Sequence, residues 1–576
     1  MQVCQDLFRR VKCDESKPTC DRCTSTGRKC DGYLSEDHPK ATCQDLSARP
    51  SPFANASAHE FRAFQFFHEQ TRHQLSGFHD CELWDMLVLQ VAQEDVAVRH
   101  ALVAFSTLHE TFARRLTGHG DNQVASDQLA LRQYNLAIRR HLDQLGGARF
   151  PANLDERAMV PCLIFICIEI IRGHYTLCIT LLKRTFGMLD HLKRNIALGS
   201  RRSNLHEMFE RQLIRLESQV IATIGYEAWD NQGNRSSISY RPLPTIPSVF
   251  ASATEARDLW ETYWHIYTAA SARESQVAAP YDRDAEPLYH HAQQQDYTRP
   301  DFWVAGFTRW SEAPEATVRS STSAIQRNGV GVSTTTTPPP SQKEQCALKI
   351  LQLHRLLNVT LVDLVSRQTL EDLEVDSQMH WDHSTPVFEQ MLDLAESVLA
   401  AESDTGPQLS NPIPTPTTTE HPPFSLTTSS SSSSSSKSSQ SLSPSQTTPK
   451  SPPVFTLDTS IVSPIYDVAK HSRDPVVRRR AISLLYNYPR HEGMFDGVLH
   501  ARVAQRIGQI EEEGCLDHSS ISSSPSAAAD VPDWARISQV RPIFDLEKSR
   551  IVLHYQRRRD KDSPFRVPVE EVIELE

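Results

Sequence analysis

Residues 159–171 read MVPCLIFICIEII and form the longest apolar stretch of this 576-residue chain. The stretch contains Pro161 and Glu169 and is too short to cross a bilayer, which requires about 20 apolar residues in a helix. It therefore predicts a buried helix, and no other segment of the sequence predicts a membrane span.

The segments around this stretch repeat apolar residues at helical spacing. Trp84, Leu87, Val88 and Val91 recur at i, i+3, i+4 and i+7, which is the pattern of one face of a helix. Similar spacing recurs farther along the chain, whereas the alternation typical of strands is scarce. The sequence therefore predicts a mainly α fold with a large all-α-helical body.

The charge balance limits the partners that the chain as a whole can bind. Lys and Arg number 60 against 71 Asp and Glu, which gives a net charge of −11. Any affinity for nucleic acid must come from a local basic patch, because the whole chain repels phosphate. The first residues also lack the basic and apolar regions of a secretory signal, so we expect a soluble, intracellular protein.

Segments rich in serine, threonine and proline divide the chain. They bury too little apolar surface to offset chain entropy, so we expect a linker and two disordered inserts. In chain order we predict a Cys-rich module at 4–33, a linker at 34–57, helical segments at 58–318 and 343–402 separated by an insert at 319–342, a second insert at 403–454, and a helical C-terminal part at 455–576 with a flexible stretch near 519–530.

Two patterns within this C-terminal part depart from plain helical spacing. Ile551, Leu553 and Tyr555 alternate, which allows a short strand. Acidic and aliphatic residues mix at 569–576, which fits either a terminal helix or an activation segment.

Six of the 12 cysteines fall within the first 43 residues. Intracellular thiols stay reduced, so such a cluster indicates metal binding rather than disulfides. Cys13, Cys20, Cys23 and Cys30 have the spacing C-x6-C-x2-C-x6-C. Because Zn²⁺ favours four thiolates in a tetrahedron, these four cysteines are the predicted zinc ligands.

The same segment is strongly basic. Between residues 9 and 29, seven cations stand against three acids, a local net charge of +4. The seven cations are Arg9, Arg10, Lys12, Lys17, Arg22, Arg28 and Lys29. Basic residues between the metal ligands fit contact with the DNA backbone.

This segment resembles the fungal binuclear zinc cluster of transcription regulators. In that family six cysteines hold two zinc ions in the pattern C-x2-C-x6-C, a short loop, then C-x2-C-x6-C. The resemblance is carried by the four spaced cysteines together with Lys17-Pro18, Gly27, Gly32 and Tyr33.

The resemblance implies a role for each basic residue near the start of the segment. Arg9 and Arg10 would lie on a short helix that enters the major groove, where arginine reads guanine through O6 and N7. Lys12 and Lys17 would contact phosphate and set the register. The implied partner is double-stranded DNA with a GC-rich, CGG-like element.

The segment departs from the family pattern at its beginning. Counting back from Cys13, the first cysteine pair should fall at positions that hold Val3 and Asp6, and Cys4 is out of register. The four remaining cysteines can hold one zinc ion, with or without help from Cys4 or Cys43. Agreement begins abruptly at Arg9, so we favour a misplaced start or a missed exon over a true one-zinc module.

The body resembles the fungal-specific transcription factor domain that follows such clusters. The stretches that carry this resemblance are 61–71, 75–78, 98–102, 133–138, 473–482 and 489–493. The resemblance implies a helical regulatory body and supplies no catalytic residue. No phosphate loop, dinucleotide fingerprint or nucleophile elbow is present, so we do not expect an enzyme.

Two further motifs favour structural interpretations. The histidines of His68-Glu69 and His73 are five residues apart, whereas helical capture of zinc needs a spacing of four. The basic run 478–480 lies beside apolar residues at helical spacing, which favours a solvated face or internal ion pairs over nuclear import.

Together these patterns predict a nuclear, zinc-dependent, sequence-specific DNA-binding regulator of RNA polymerase II transcription. By family analogy it would control a metabolic or secondary-metabolite gene set and engage the transcription machinery. A homodimer would have to form through the helical body, because residues 34–57 contain no heptads. The alternative is a helical interaction or ligand-sensing protein that has lost DNA binding.

Overall fold

The structure is a computed structural model that describes most of the chain from residue 57 onward. The described residues are Ser25, 57–79, 81–115, 123–146, 154–197, 204–224, Trp229, 243–277, 300–314, 341–367, 378–405, 450–518, 530–563 and 565–575. The chain divides into two compact units, Met1–Phe61 and Arg62–Glu576.

Several predicted segments lie outside the described residues. The Cys-rich module at 4–33 and the linker at 34–57 are described only at Ser25 and at residue 57. The predicted inserts fall largely on 315–340, 406–449 and 519–529, which are likewise not described. The boundaries predicted for these segments therefore stay predictions.

The described part of the chain is built mainly from helices, which confirms the predicted fold class. The helices are α1 (Ala58–Phe66), α2 (Arg72–Ser76), α3 (Val88–Glu94), α4 (Val96–Arg115), α5 (Gln123–Gln144), α6 (Met159–Ile171), α7 (Tyr175–Ala197), α8 (Asn204–Ile224), α9 (Ala253–Val277), α10 (Pro300–Glu312), α11 (Gln342–Arg367), α12 (Thr385–Thr405), α13 (Val462–His471), α14 (Pro475–Asn487) and α15 (Gly497–His518). Short π-helical turns at Phe67–Thr71 and Leu83–Leu87 lead into α2 and α3.

Two small sheets accompany the helices. Their strands are β1 (Val454–Thr456), β2 (Arg490–Glu492), β3 (Phe495–Asp496), β4 (Ser538–Asp545), β5 (Arg550–Arg558) and β6 (Arg566–Glu574). The first sheet has the order β1-β2-β3 and the second β4-β5-β6.

Helix α6 occupies the main core and confirms the prediction for residues 159–171. Both α4 and α7 pack against it, and nearly all of its side chains are buried, since apolar residues cover all of its faces. Glu169 is also fully buried, and its carboxylate lies 2.8 Å from His174 Nδ1. None of the described helices is long and apolar enough to cross a membrane.

The first sheet connects distant parts of the chain through two glutamine side chains. Strand β1 pairs in parallel with β2, which pairs with β3 in a tight hairpin. Gln74 Oε1 accepts a hydrogen bond from Phe455 N at 2.9 Å. Gln219 donates to Leu457 O at 2.9 Å and accepts from Met494 N at 3.0 Å. The amides of α2 and α8 are therefore satisfied by backbone groups more than 200 residues away.

The second sheet corrects the prediction of a helical C-terminal part. The helical structure predicted across 455–576 is wrong for Ser538–Asp545, Arg550–Arg558 and Arg566–Glu574, which form an antiparallel sheet. The strand suggested by the alternation of Ile551, Leu553 and Tyr555 is confirmed, and all three side chains are buried. Residues 569–574 are not helical either; they belong to β6. Valine and isoleucine favour a strand where a partner strand is available, and β5 is that partner.

Candidate functional site

The predicted zinc and DNA site lies outside the described residues. It comprises Arg9, Arg10, Lys12, Cys13, Lys17, Cys20, Cys23 and Cys30. No geometry therefore tests these residues, and their roles stay predictions. Within the described part of the chain, no group of three or more His, Cys, Asp or Glu side chains is placed to hold a metal ion. His68 and His73 are exposed, as a structural interpretation of that motif expects.

A cavity of about 240 Å³ lies within the second unit and is a candidate site. It lies between the turn Gln378–Ser384, the C-terminal end of α13 and the beginning of β4. Its polar lining residues are Gln378, His380, Lys470, Arg473, Ser538 and Gln539. Leu364, Trp381, Ile537 and Val540 supply an apolar wall.

A buried carboxylate anchors two of the residues that line this cavity, Arg473 and Ile537. Glu511 accepts from Arg473 Nη2 and Arg478 Nη2, each at 2.7 Å, and from Ile537 N at 3.1 Å. Burial alone would raise the pKa of Glu511, but the two guanidinium groups outweigh it and hold that pKa below its ordinary value. Glu511 thus stays ionised and ties α15 to α14 and to the residue before β4.

A β-bulge shapes the strand side of the cavity. The register of β4 against β5 shifts between Ser538 and Arg541, and Gln539 adopts a positive φ of 49°. An extra residue of this kind re-aims the side chains on either side of it. Ser538 is buried, whereas Gln539 is exposed and accepts a hydrogen bond from Gln556 Nε2 at 2.9 Å.

An aromatic pair forms the opposite side. The rings of Trp381 and His471 stack with centroids 3.7 Å apart and an interplanar angle of 18°. Burial lowers the pKa of His471 well below its ordinary value, and three neighbouring cations lower it further. His471 therefore presents a neutral ring at neutral pH.

The turn that carries Trp381 is anchored by a buried arginine. Arg536 donates from Nη1 and Nη2 to the two carboxylate oxygens of Asp382, at 2.7 and 2.8 Å. It also donates from Nη1 to Gln378 O at 3.0 Å. Paired donors of this kind fix orientation as well as distance, so the turn and β4 hold the two sides of the cavity in place.

The polar side of the cavity is rich in hydrogen-bond donors. Lys470 Nζ lies 3.2 Å from Asp467 Oδ1, and its ammonium carries three protons. Arg473 Nε and Ser538 Oγ are buried and lack a hydrogen-bond partner among the described residues. No carboxylate side chain lies among the described lining residues, so the arrangement favours an anionic guest over a cationic one.

The interpretation of the basic run 478–480 as a solvated face or internal ion pairs is confirmed. Arg478 is paired with Glu511, and Arg480 is paired with Asp393 and Glu396 on α12. Arg479 is exposed. Two of the three arginines therefore form ion pairs within the body.

No sequence pattern indicated the cavity, because its walls come from four separate parts of the chain. The Asp474-Pro475 pair marks only the start of α14, where Asp474 Oδ1 accepts hydrogen bonds from Val476 N and Val477 N and caps the helix. This cap fixes where α14 begins, directly after Arg473. Nothing local links Arg473 to Trp381 or Ser538.

Comparison with known proteins adds a family match. Residues 62–244 match the family described as the fungal specific transcription factor domain. In the structure this segment runs from α1 to the loop that precedes α9. The cavity lies outside it.

Two curated relatives are similar to the chain, and no solved structure matches it. The aspercryptin biosynthesis cluster-specific transcription regulator atnN of Emericella nidulans is 26% identical, over 92% of this chain and 90% of the relative. The transcription regulator lscL of Purpureocillium lilacinum is 28% identical, over 38% of this chain and 55% of the relative. Along most of its length, the chain is thus similar to a protein named as a transcription regulator, and it carries a match to the fungal specific transcription factor domain.

Proposed function

We propose that this protein is a nuclear, zinc-dependent, sequence-specific DNA-binding regulator of RNA polymerase II transcription. The observation that carries the proposal is the occurrence, in one chain, of a basic C-x6-C-x2-C-x6-C segment and the matched domain at 62–244. Similarity to two proteins named as transcription regulators supports it. Because one of them is named for a biosynthesis cluster, we further propose a metabolic or secondary-metabolite gene set as the target.

Each part of the basic segment has its own role in this proposal. Cys13, Cys20, Cys23 and Cys30 would hold Zn²⁺, which supplies the cross-link that lets so short a segment fold. Arg9 and Arg10 would read a GC-rich, CGG-like element, and Lys12 and Lys17 would contact phosphate. The described body would then connect DNA binding to the transcription machinery.

Duplex binding by the full chain tests these roles. We expect Arg10→Ala to weaken binding to a CGG-containing duplex and to narrow its preference over a scrambled duplex, because a base contact is lost. Lys12→Ala should weaken binding to both duplexes alike and reduce the slope of log affinity against log salt by about 1. Fluorescence anisotropy at several salt concentrations measures both effects.

The exposed Arg479 of the body provides a matched control, because Arg479→Ala removes the same charge far along the chain from the basic segment. It should leave both affinities unchanged. Equal losses on the two duplexes for Arg10→Ala and Lys12→Ala would contradict the assigned roles. Undiminished binding after zinc chelation would contradict zinc dependence.

A second candidate function is a helical interaction or ligand-sensing protein that no longer binds DNA. Val3 and Asp6 stand where the family has its first cysteine pair, and this observation favours it. Retained regulation of a reporter gene by a chain that lacks residues 1–33 would support this second candidate over the first.

A further inference from the structure

We propose that the cavity between α13, the turn Gln378–Ser384 and β4 is a binding site for a small carboxylic acid with an apolar or aromatic body. Binding itself does not depend on the proposed DNA binding, whereas a regulatory meaning for it does. The carboxylate would lie against Lys470, and the apolar body against Leu364, Trp381 and Val540.

The balance of charge around the cavity favours an anion. Two guanidinium groups, those of Arg473 and Arg478, share the single carboxylate of Glu511. The charge of Lys470 is balanced by that of Asp467, with which it forms an ion pair. The group therefore carries one more positive charge than negative, and a bound carboxylate would balance it.

Unused donors in the wall point to the same chemistry. Arg473 is only 3% exposed and Ser538 only 4%, yet Arg473 Nε and Ser538 Oγ have no partner among the described residues. Burying a polar group without a partner costs about 1–3 kcal/mol. Both atoms have almost no accessible surface, so a guest would have to displace the side chains around them to reach them. The remaining protons of Lys470 are the donors open to an acceptor-only group such as a carboxylate.

The volume limits the size of the guest. The cavity measures about 240 Å³, whereas a cavity of about 150 Å³ already accommodates benzene and ligand sites for drug-sized molecules begin near 300 Å³. At the same ratio of volume to atoms as benzene, a guest of roughly 10 non-hydrogen atoms fits inside the cavity. The exposed Gln539 and the partly exposed Lys470 mark the side from which it would enter.

The position of the cavity gives such binding a structural consequence. Its walls belong to α11, the turn Gln378–Ser384, α13 and β4, so a guest would contact the helical body and the C-terminal sheet together. A ligand that binds only the assembled arrangement stabilises it by mass action. The site could thus couple the concentration of a metabolite to the docking of the sheet.

Titration calorimetry on the full-length protein, without DNA, tests the proposal. The probes are hexanoate, benzoate and 2-naphthoate, each paired with its primary amide. We expect at least one carboxylate to bind with a Kd below about 1 mM and its amide to bind at least about tenfold more weakly, as expected when a charge-assisted hydrogen bond is lost.

Three variants locate the binding. Lys470→Met keeps most of the stem but removes the charge, and should weaken carboxylate binding about tenfold. Val540→Trp should block the cavity by filling it. Lys548→Met is the matched control, since Lys548 is exposed in the turn after β4 and does not line the cavity; it should bind as the unmodified chain does.

Three outcomes would overturn the proposal: none of the three carboxylates binds, acid and amide bind alike, or Lys548→Met weakens binding as much as Lys470→Met. Circular dichroism checks the folding of each variant, and if Val540→Trp fails to fold, the two lysine variants decide alone. Because DNA is absent, a negative result here leaves the proposed DNA binding untouched.

Discussion

Two buried guanidinium groups share the carboxylate of Glu511, so its loss affects more than one ion pair. Its side chain is fully buried, and its partners Arg473 and Arg478 are nearly so. Removing the shared carboxylate leaves two nearly buried cations without a negative partner. The cost of such an unpaired charge exceeds the gain from the pair itself.

We expect Glu511→Gln to lower the free energy of unfolding by about 3 kcal/mol or more. The matched control is Glu513→Gln on the same helix, where the side chain is 60% exposed and pairs with Arg506. An exposed pair contributes less than about 1 kcal/mol. Urea unfolding of the two variants measures the difference, and similar small effects would contradict the role given to Glu511.

At the scale of elements, the β2–β3 hairpin depends on one glycine. Gly493 has a φ of +56°, and a Cβ placed there would lie 1.7 Å from Gln219 Oε1. Two-residue hairpin loops need a positive φ that side chains disfavour. Here the backbone conformation and the close approach of Gln219 both require glycine.

Gly493→Ala should therefore unfold the hairpin or displace Gln219, whereas Gly146→Ala should cost only the backbone strain of about 1–2 kcal/mol. Gly146 has a similar φ of +61° but no atom within 4 Å of the added Cβ. Thermal unfolding compares the two substitutions. If both lower the midpoint equally, the contact with Gln219 contributes nothing.

The sequence predicted some helices and strands more accurately than others. Residues 159–171 form a helix with the predicted bounds, because a continuous apolar run of that length is too long for a typical strand and is buried most readily as a helix. Residues 569–574 mix valine, isoleucine and glutamate in an order compatible with either a helix or a strand. Their pairing with β5 decides the outcome, and that partner is not visible in the local pattern.

The candidate cavity could not be predicted from the sequence either, because the residues that form it are far apart in the chain. Trp381, Arg473 and Ser538 are separated by about 65 to 157 positions, and only packing of the whole unit brings them together. The zinc and DNA residues, whose roles stay predictions, differ in that their signal is local: a short-range cysteine spacing and a basic run.

For the molecule as a whole, buried histidines predict sensitivity to acid. Burial lowers the pKa of His109 to about 3 and those of His354 and His500 to about 4. Their ordinary value is about 6.5. Between pH 6.5 and 4 the unfolded chain binds protons that the folded chain does not, so the free energy of unfolding falls as the pH falls.

Each of these histidines should contribute a slope of about 1.4 kcal/mol per pH unit in that range. Urea midpoints at pH 7, 6 and 5 measure the total. His354→Gln should reduce the slope of the free energy of unfolding against pH by the contribution of one histidine. His68→Gln, at an exposed position, should leave that slope unchanged. A midpoint that does not move between pH 7 and 5 would contradict the prediction.

The contacts of Gln219 also set an order of events during synthesis. Gln219 pairs with Met494 across 275 positions, which a ribosome adding about 5–20 residues per second would take roughly 14–55 s to cover. Until then, the segment matched at 62–244 holds side-chain amides whose partners do not yet exist. This segment should consequently complete its core only late in translation, and until then chaperones would have access to it.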